Sequence, residues 1–141
     1  MPFRASAKSK DPDPVFVDTS YIVGLTDRKD QWHEDARRIA KRIPKHPKLT
    51  NLVIAEAVTI IGNRSGGPPA RTLYDYFVDE CEVIFVDQAL LNSAIVQHTR
   101  FDGTLSLADC ATVAAMTQAS ESDIVSFDSD FDKVTGLNRL H

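Results

Sequence analysis

Three short apolar runs divide this chain, and segments with helical periodicity fill the intervals between them. The runs are VFVD at residues 15–18, EVIFV at 82–86 and DIVSF at 123–127. Unbroken apolar runs of this length are typical of strands that are buried on both faces of a parallel sheet. Strands that alternate with helices predict an α/β fold, a three-layer sandwich in which helices flank a central, mostly parallel sheet.

Six helices are predicted around these runs. One begins at Ser20, and the others cover 31–42, 52–64, 70–80, 88–101 and 107–118. Asp30, either Thr50 or Asn51, and Ser106 precede helical segments and are expected N-caps. In the segment 31–42 the apolar residues share one face and the cations the other, which predicts an amphipathic helix. That apolar face carries Trp32, Ala36, Ile39, Ala40 and Ile43.

Length and composition favour a single domain. The chain has 141 residues, 43% of them hydrophobic. Residues 1–14 are rich in proline and cations, so we expect a flexible tail before one domain at 15–141. No stretch approaches the roughly 20 apolar residues that cross a bilayer. Cys81 and Cys110 are expected to be buried free thiols, and we predict a soluble, cytoplasmic protein with no membrane contact.

Four acids occupy positions where a carboxylate is unusual. Asp18 ends the first apolar run and Asp128 follows the third, and the carboxyl ends of parallel strands meet at one edge of a sheet. Glu56 interrupts the apolar segment LVIAEAVTII, and Asp109 lies within LSLADCATVAAM. Four carboxylates in one place would repel one another unless some were protonated or a cation lay among them. Mg²⁺ or Mn²⁺, which prefer oxygen ligands, are the expected cations.

Each acid also has an ordinary structural interpretation. Asp18 can cap the following helix, Asp109 can interact with a helix dipole, and Glu56 can form a buried salt bridge. Asp130 and Asp132 are expected to be turn or cap residues beside Asp128. Only the set of four acids, taken together, favours a metal site.

Two other uses of the Asp-x-Asp-x-Asp pattern at 128–132 are disfavoured. An EF-hand loop that began at Asp128 would need Gly at its sixth position and Glu at its twelfth, where the chain has Lys133 and Arg139. An aspartyl-nucleophile phosphatase motif opens its domain, whereas this one lies close to the end of the sequence.

Four motifs in order resemble those of a PIN-domain ribonuclease, specifically the VapC type of toxin from prokaryotic toxin–antitoxin pairs. They are VFVDTS, TNLVIAEAV, LSLADC and SFDSDF, and the resemblance extends from Val15 to His141. It implies a PIN-like sandwich with a metal-binding acidic cluster of catalytic residues. Those residues are Asp18, Glu56, Asp109 and Asp128, with Asp18 and Asp109 as the direct metal ligands. Asp130 would support them, and the hydroxyls of Thr19, Ser20 and Ser126 would orient carboxylates.

The resemblance also implies an activity and partners. The expected reaction is Mg²⁺- or Mn²⁺-assisted hydrolysis of RNA phosphodiester bonds, leaving 5′-phosphate and 3′-hydroxyl ends. The expected partners are RNA, a second copy of the chain, and a small VapB-like antitoxin in a groove between the second and third predicted helices. Two alternatives stay open. One is a PIN nuclease for RNA processing or for DNA, and the other is a non-catalytic nucleic-acid-binding module, which the complete acidic set disfavours.

One positive segment could meet the RNA on this otherwise acidic chain. The net charge is −4, yet the stretch from Arg37 to Lys48 has six Lys or Arg and no acid. We expect it to form part of the RNA-contacting wall, with Arg64, Arg71 and Arg100 as further candidates; the alternative is an ordinary solvated helix face.

Overall fold

The computed structural model describes residues 13–141, so the predicted tail lies outside the described residues except for positions 13 and 14. The strands are β1 (Phe16–Val17), β2 (Lys48–Thr50), β3 (Glu82–Ile84), β4 (Asp123–Val125) and β5 (Asn138–Leu140). The α-helices are α1 (Thr19–Thr26), α2 (His33–Ala40), α3 (Asn51–Ser65), α4 (Gly67–Glu80), α5 (Gln88–Arg100) and α6 (Leu107–Ala119). A 3₁₀ helix spans Ser129–Lys133.

The five strands form one sheet in the order β3-β2-β1-β4-β5, and every pairing is parallel. In the central pair Phe16 lies opposite Ile124, and Val17 opposite Val125. The predicted α/β fold with a central parallel sheet is confirmed. The strands that precede Asp18 and Asp128 are therefore direct neighbours.

The core has a separate apolar layer on each side of the sheet, because successive strand side chains point to opposite faces. Val17 packs with residues of α1 to α4, including Ile22, Val53 and Phe77. Phe16 packs on the other side with α6, around Met116. Both layers are fully buried at these positions, which holds the carboxyl ends of β1 and β4 in a rigid frame.

Two strands were not predicted. β2 is only KLT and follows the polar segment PKHP, and β5 is only NRL near the end of the sequence. Neither has an apolar run, so neither carries a local strand signal. Both form because each pairs with a strand that the sequence does predict, β1 for β2 and β4 for β5.

Some predicted boundaries were wrong. The strand EVIFV ends at Ile84, and Phe85 is 73% exposed. Asp30 does not cap α2, which begins later at His33; its carboxylate instead accepts a hydrogen bond from the Trp32 N–H. Thr50 and Ser106 do cap α3 and α6, as predicted.

Two further expectations concern the burial of the cysteines and contact with a membrane. Cys81 and Cys110 are both free thiols, but only Cys110 is buried, because Cys81 lies half-buried at the end of α4. Among residues 13–141, every helix is too short or too polar to cross a bilayer.

Candidate functional site

An open cavity of about 540 Å³ lies at the carboxyl edge of the sheet. All four acids of the predicted cluster line it: Asp18, Glu56, Asp109 and Asp128. They come from the end of β1, the middle of α3, the first turn of α6 and the turn after β4. The pairing of β1 with β4 and the helices packed beside it therefore bring together acids that are far apart in the sequence.

Asp18 is the most deeply placed of the four, at 4% exposed. Its Oδ2 accepts hydrogen bonds from the Ser126 hydroxyl at 2.9 Å, the Ser20 hydroxyl at 3.0 Å and the Ser20 N–H at 3.4 Å. Burial raises the pKa of Asp18 above its usual value, although these hydrogen bonds act in the opposite direction. Asp18 is therefore both the cap of α1 and a buried carboxylate in the cavity.

Two serines tie Asp18 to the turn that carries Asp128. The Ser126 hydroxyl accepts the Asp128 N–H at 3.0 Å, and the Ser20 hydroxyl accepts the Phe127 N–H at 2.9 Å. The two hydroxyl oxygens lie 3.2 Å apart. Both serine hydroxyls engage Oδ2, so neither of them occupies Oδ1 of Asp18.

Glu56 lies on the exposed side of α3 rather than on a buried face. The Thr19 hydroxyl donates to its Oε1 at 2.6 Å, which links α3 to the start of α1. Glu56 makes no ion pair within the described residues, so its interpretation as a buried salt-bridge acid is wrong.

Asp109 shows most directly that the acids interact. Its pKa is raised to about 7, first by burial and then by the negative charges of Asp18, Asp128 and Glu56. A hydrogen bond with Ser106, the cap of α6, offsets part of this shift. Asp109 does lie in the first turn of its helix, as the helix-dipole interpretation predicts, but burial and the surrounding carboxylates still raise its pKa.

The three aspartates at 128, 130 and 132 do not share one role. Asp128 caps the 3₁₀ helix by accepting the Asp130 N–H at 2.9 Å, and both line the cavity. Asp130 also pairs with Lys133 at 3.1 Å. Asp132 instead forms a two-point ion pair with Arg139 of β5, at 2.9 and 3.0 Å. The predicted turn and cap interpretation holds for this segment, while only two of its acids face the site.

The carboxylates fit a hard divalent ion in type, although not as a preformed cage. Among residues 13–141, no three acidic, His or Cys side chains lie close enough to enclose a metal ion. Mg²⁺ usually keeps several waters and contacts only one or two carboxylates, so a cage of three is not required. A site in which two of the carboxylates contacted the ion directly and the other two lay nearby would match that preference.

The positive residues are placed differently from the prediction. Arg37 and Arg38 lie on the exposed side of α2 and pair with Glu34 and Asp35. Lys48 begins β2 at the opposite, amino edge of the sheet, where it pairs with Glu121. The segment from Arg37 to Lys48 therefore does not line the cavity. Of the predicted cations, only Arg64 does so, and it binds Asp27 and Asp30 at 2.9 Å each.

The apolar face of α2, expected to help form a partner groove, is largely used within the core. Ala36 and Ile39 of α2 are buried in the core, so α2 offers little apolar surface beside α3. A shallow apolar groove of about 560 Å³ lies instead between α3 and the start of α6. Glu56 and Ile60 border both this groove and the acidic cavity.

Sequence reasoning missed part of the cavity wall. Trp32 was predicted to be on the apolar face of a helix but is 36% exposed and lines the cavity beside Gln31. Gly103, Thr104 and Ser106 form another part of the wall, in the loop before α6. The turn signal at Asp102-Gly103 marks that loop, but it does not indicate that the loop approaches the acids.

Comparison with known proteins connects this fold to one family. The PIN domain family model matches residues 15–137. The structure of Mycobacterium tuberculosis VapC20, a toxin that cleaves the sarcin–ricin loop, is similar with a TM-score of 0.81 at 25% sequence identity. The match covers 87% of this chain and 96% of VapC20. No curated protein sequence matches the chain.

More distant structures share the fold. A toxin–antitoxin complex from Klebsiella pneumoniae has a TM-score of 0.67 at 12% identity, covering 89% of this chain and 96% of the other. VapBC2 from Rickettsia felis, bound to a promoter DNA fragment, has a TM-score of 0.64 at 11% identity, covering 91% and 98%. The family match and the likeness to VapC20 support a nuclease of the VapC toxin type. The chain belongs to the PIN domain family.

Proposed function

We propose that this protein is a Mg²⁺-dependent endoribonuclease that acts as the toxin of a VapBC-type toxin–antitoxin pair. The observation that carries the proposal is the convergence of four carboxylates on one open cavity, where the pKa of Asp109 rises to about 7. Such crowding destabilises the folded chain, and a bound cation relieves it. The catalytic unit is residues 15–141, with residues 1–14 outside it.

Asp18 and Asp109 are the proposed direct ligands of the ion. Asp18 offers Oδ1 while the serine hydroxyls hold Oδ2, and Asp109 lies near enough for the two charges to raise its pKa. Mg²⁺ is the expected ion, and Mn²⁺ has the same preference for oxygen. When bound, the ion supplies positive charge that activates water and stabilises the charge that develops on the scissile phosphate.

Glu56, Asp128 and Asp130 complete the proposed site without direct coordination. Thr19 orients the Glu56 carboxylate, and Ser126 fixes the backbone of Asp128. These carboxylates accept hydrogen bonds from ordered water and so orient it towards a phosphate in the cavity. Asp130 is held by Lys133, which lowers the negative charge on that side of the cavity.

The proposed antitoxin site is the apolar groove between α3 and α6. Because the groove continues into the acidic cavity at Glu56 and Ile60, one peptide segment could fill the groove and cover the acids. A cation on that segment would compete with the metal for the carboxylates.

A second copy of the chain is the proposed partner of another apolar patch. Tyr74 and Val78 of α4 and Phe85 after β3 are exposed and surround an apolar groove of about 410 Å³. Large exposed side chains grouped in this way are typical of protein–protein interfaces. A cytoplasmic location follows from the proposed RNA substrate and antitoxin.

The decisive experiment is cleavage of total RNA by the purified chain with Mg²⁺, with Mn²⁺ and with EDTA. Cleavage with either metal, its loss in EDTA and 5′-phosphate ends on the products are the expected results. Asp18→Asn should reduce the rate by about 10³-fold, since it removes several kcal/mol of charge stabilisation. Chelator-resistant cleavage, or an active Asp18→Asn protein, would reject the metal site.

The RNA target is proposed to be a structured ribosomal loop, on the basis of the likeness to VapC20, which cleaves the sarcin–ricin loop. Parallel reactions with ribosomes, a sarcin–ricin loop oligonucleotide, tRNA and single-stranded DNA test this. A single cut in the loop is expected. Preferential cleavage of tRNA would change the target but keep the activity, whereas preferential cleavage of DNA would favour the alternative PIN nuclease.

A further inference from the structure

Trp32 and Phe127 form a stacked aromatic pair at the wall of the acidic cavity. Their ring centroids lie 5.1 Å apart, and the ring planes differ by 9°. Phe127 is half-buried and lies between Ser126 and Asp128 in sequence, while Trp32 lines the cavity. Trp32 as a whole is 36% exposed, so its stack with Phe127 leaves part of the residue open to solvent.

Contacts of its backbone and Cβ atom fix the position of Trp32. The backbone N–H of Trp32 donates to Asp30 Oδ2 at 3.0 Å, and the other Asp30 oxygen accepts from Arg64 at 2.9 Å. A methyl group at Gly24 would lie 3.3 Å from Trp32 Cβ, so the lack of a side chain there lets the tryptophan pack against α1. The backbone of Trp32 is therefore held in place, and its ring is already stacked on Phe127 before any ligand binds.

Phe127 connects the pair to the carboxylates. Its N–H donates to the Ser20 hydroxyl, and the same hydroxyl contacts Asp18 Oδ2 at 3.0 Å. A flat group that stacks on the indole would lie beside the acids, within the same cavity. The chain thus presents a rigid aromatic surface next to the place where a phosphate would bind.

We infer that Trp32, backed by Phe127, is a stacking platform for an unpaired nucleobase next to the scissile phosphate. This inference rests on the proposed nuclease function and narrows its substrate to RNA in which that base is splayed out of any helix. Bases in loops and single strands stack on aromatic side chains, whereas duplex bases are unavailable. Trp32 is then a specificity-determining residue rather than a catalytic one.

A nucleobase suits this surface better than an antitoxin side chain does. The wall around Trp32 is polar, with Gln31, Asp30 and Arg64 lining the same cavity. An apolar peptide face would remove these polar groups from water, and the apolar groove between α3 and α6 offers it a better surface. The edge of a base has donors and acceptors that match a polar wall.

The first test measures binding without cleavage. Trp32 is the single tryptophan of the chain, so its fluorescence reports directly on stacking. In EDTA, a single-stranded RNA oligonucleotide that contains the mapped cleavage site should quench the fluorescence, and its blunt duplex should not. Trp32→Ala should weaken binding, measured by anisotropy of labelled RNA, roughly tenfold. Trp32→Phe should keep most of the affinity.

Tyr76→Ala is the matched control variant. Tyr76 is 37% exposed and packs against Phe77 with centroids 5.8 Å apart, but it lies between α1 and α4, away from the acids. It should bind RNA as the unmodified chain does. Equal losses in the Tyr76 and Trp32 variants would indicate general destabilisation and overturn the inference.

The second test couples the tryptophan to one base. Removing the base next to the cut site should raise the KM of the unmodified chain by the same roughly tenfold factor. The KM of Trp32→Phe should rise by at least as much. In Trp32→Ala, removal of the same base should not raise the KM further. Additive losses at every position tested would overturn the platform.

The outcomes distinguish a failure of the stacking inference from a failure of the proposed nuclease function. If the unmodified chain does not cleave RNA with Mg²⁺, the proposed function fails. If it cleaves normally and Trp32→Ala keeps its KM and RNA affinity, only the stacking inference fails. Loss of antitoxin binding alone in Trp32→Ala would assign the surface to the protein partner and equally overturn the inference.

Discussion

Two groups of acids in this molecule differ in how their charge is balanced. Asp18 and Asp109 have no cationic partner among the described residues, and their pKa values are raised, in both cases mainly by burial. Asp27 and Asp132 are paired with Arg64 and Arg139. Their pKa values are lowered, for Asp27 chiefly by the Lys29 N–H and then Arg64, and for Asp132 chiefly by Arg139.

The difference separates acids whose charge is balanced by an arginine of the chain from acids whose charge is not balanced. A carboxylate paired with arginine stabilises the fold in its charged form, so the protein has no need of a further cation there. A group of buried carboxylates without arginine weakens the fold unless something positive enters. The same substitution made in both groups, aspartate to asparagine, tests whether this difference in charge balance matters for function.

The largest expected effect is on activity. Asp109→Asn should lower the rate of RNA cleavage by about 10³-fold, because the cavity loses a proposed ligand of the ion. Asp132→Asn, the matched change in the paired group, should leave the rate within a small factor. Initial rates on a labelled RNA with Mg²⁺ measure both. Similar losses in the two variants would remove the functional distinction between the groups.

The second prediction concerns stability and pH. The pKa of Asp109 is about 7 in the folded chain against 3.8 as an ordinary carboxyl, so the folded state binds the proton more tightly. The stabilisation from this group is full below pH 3.8 and is lost as the pH rises through 7. In EDTA at pH 8, Asp109→Asn should therefore raise the free energy of unfolding by on the order of 2 kcal/mol.

Urea denaturation at pH 5 and pH 8 checks this prediction, and the gain should be smaller at pH 5. Asp132→Asn should show the opposite sign at pH 8, since its ionised form is favoured by Arg139. A gain for Asp109→Asn that does not depend on pH would show that the pKa of Asp109 is not raised in the folded chain.

A third prediction concerns metal removal. Mg²⁺ at ten times its dissociation constant should stabilise the unmodified chain by about 1.4 kcal/mol, and EDTA should reverse this. Thermal unfolding with and without the ion measures the effect. Asp109→Asn should respond much less, while Asp132→Asn should respond like the unmodified chain. An equal shift in all three proteins would mean that the ion binds elsewhere.

The smallest expected effect is in the paired group. Arg64→Ala should lower the free energy of unfolding by no more than about 1 kcal/mol, because its ion pairs with Asp27 and Asp30 are partly exposed to water. Arg71→Ala, which breaks the more exposed pair with Asp75, serves as the control and should cost less. If Arg64→Ala lowered the free energy of unfolding by several kcal/mol, the contact of Arg64 with the turn before α2 would contribute as much to stability as a core contact does.

The sequence by itself determined the fold class and the positions of the acids along the chain. Buried strands leave apolar runs in any parallel sheet, and an acid directly after such a run marks the carboxyl edge, as at Asp18 and Asp128. Helix caps such as Ser106 are equally local. These features could be predicted because each depends on a few consecutive residues.

Only the tertiary structure decided which elements meet. Strands β2 and β5 exist because a neighbouring strand pairs with them, and the position of Lys48 at the far edge of the sheet follows from that pairing. Asp132 turns to Arg139, and Trp32 reaches the cavity wall rather than the core. Contacts of this kind depend on distances between remote segments, which local periodicity does not encode.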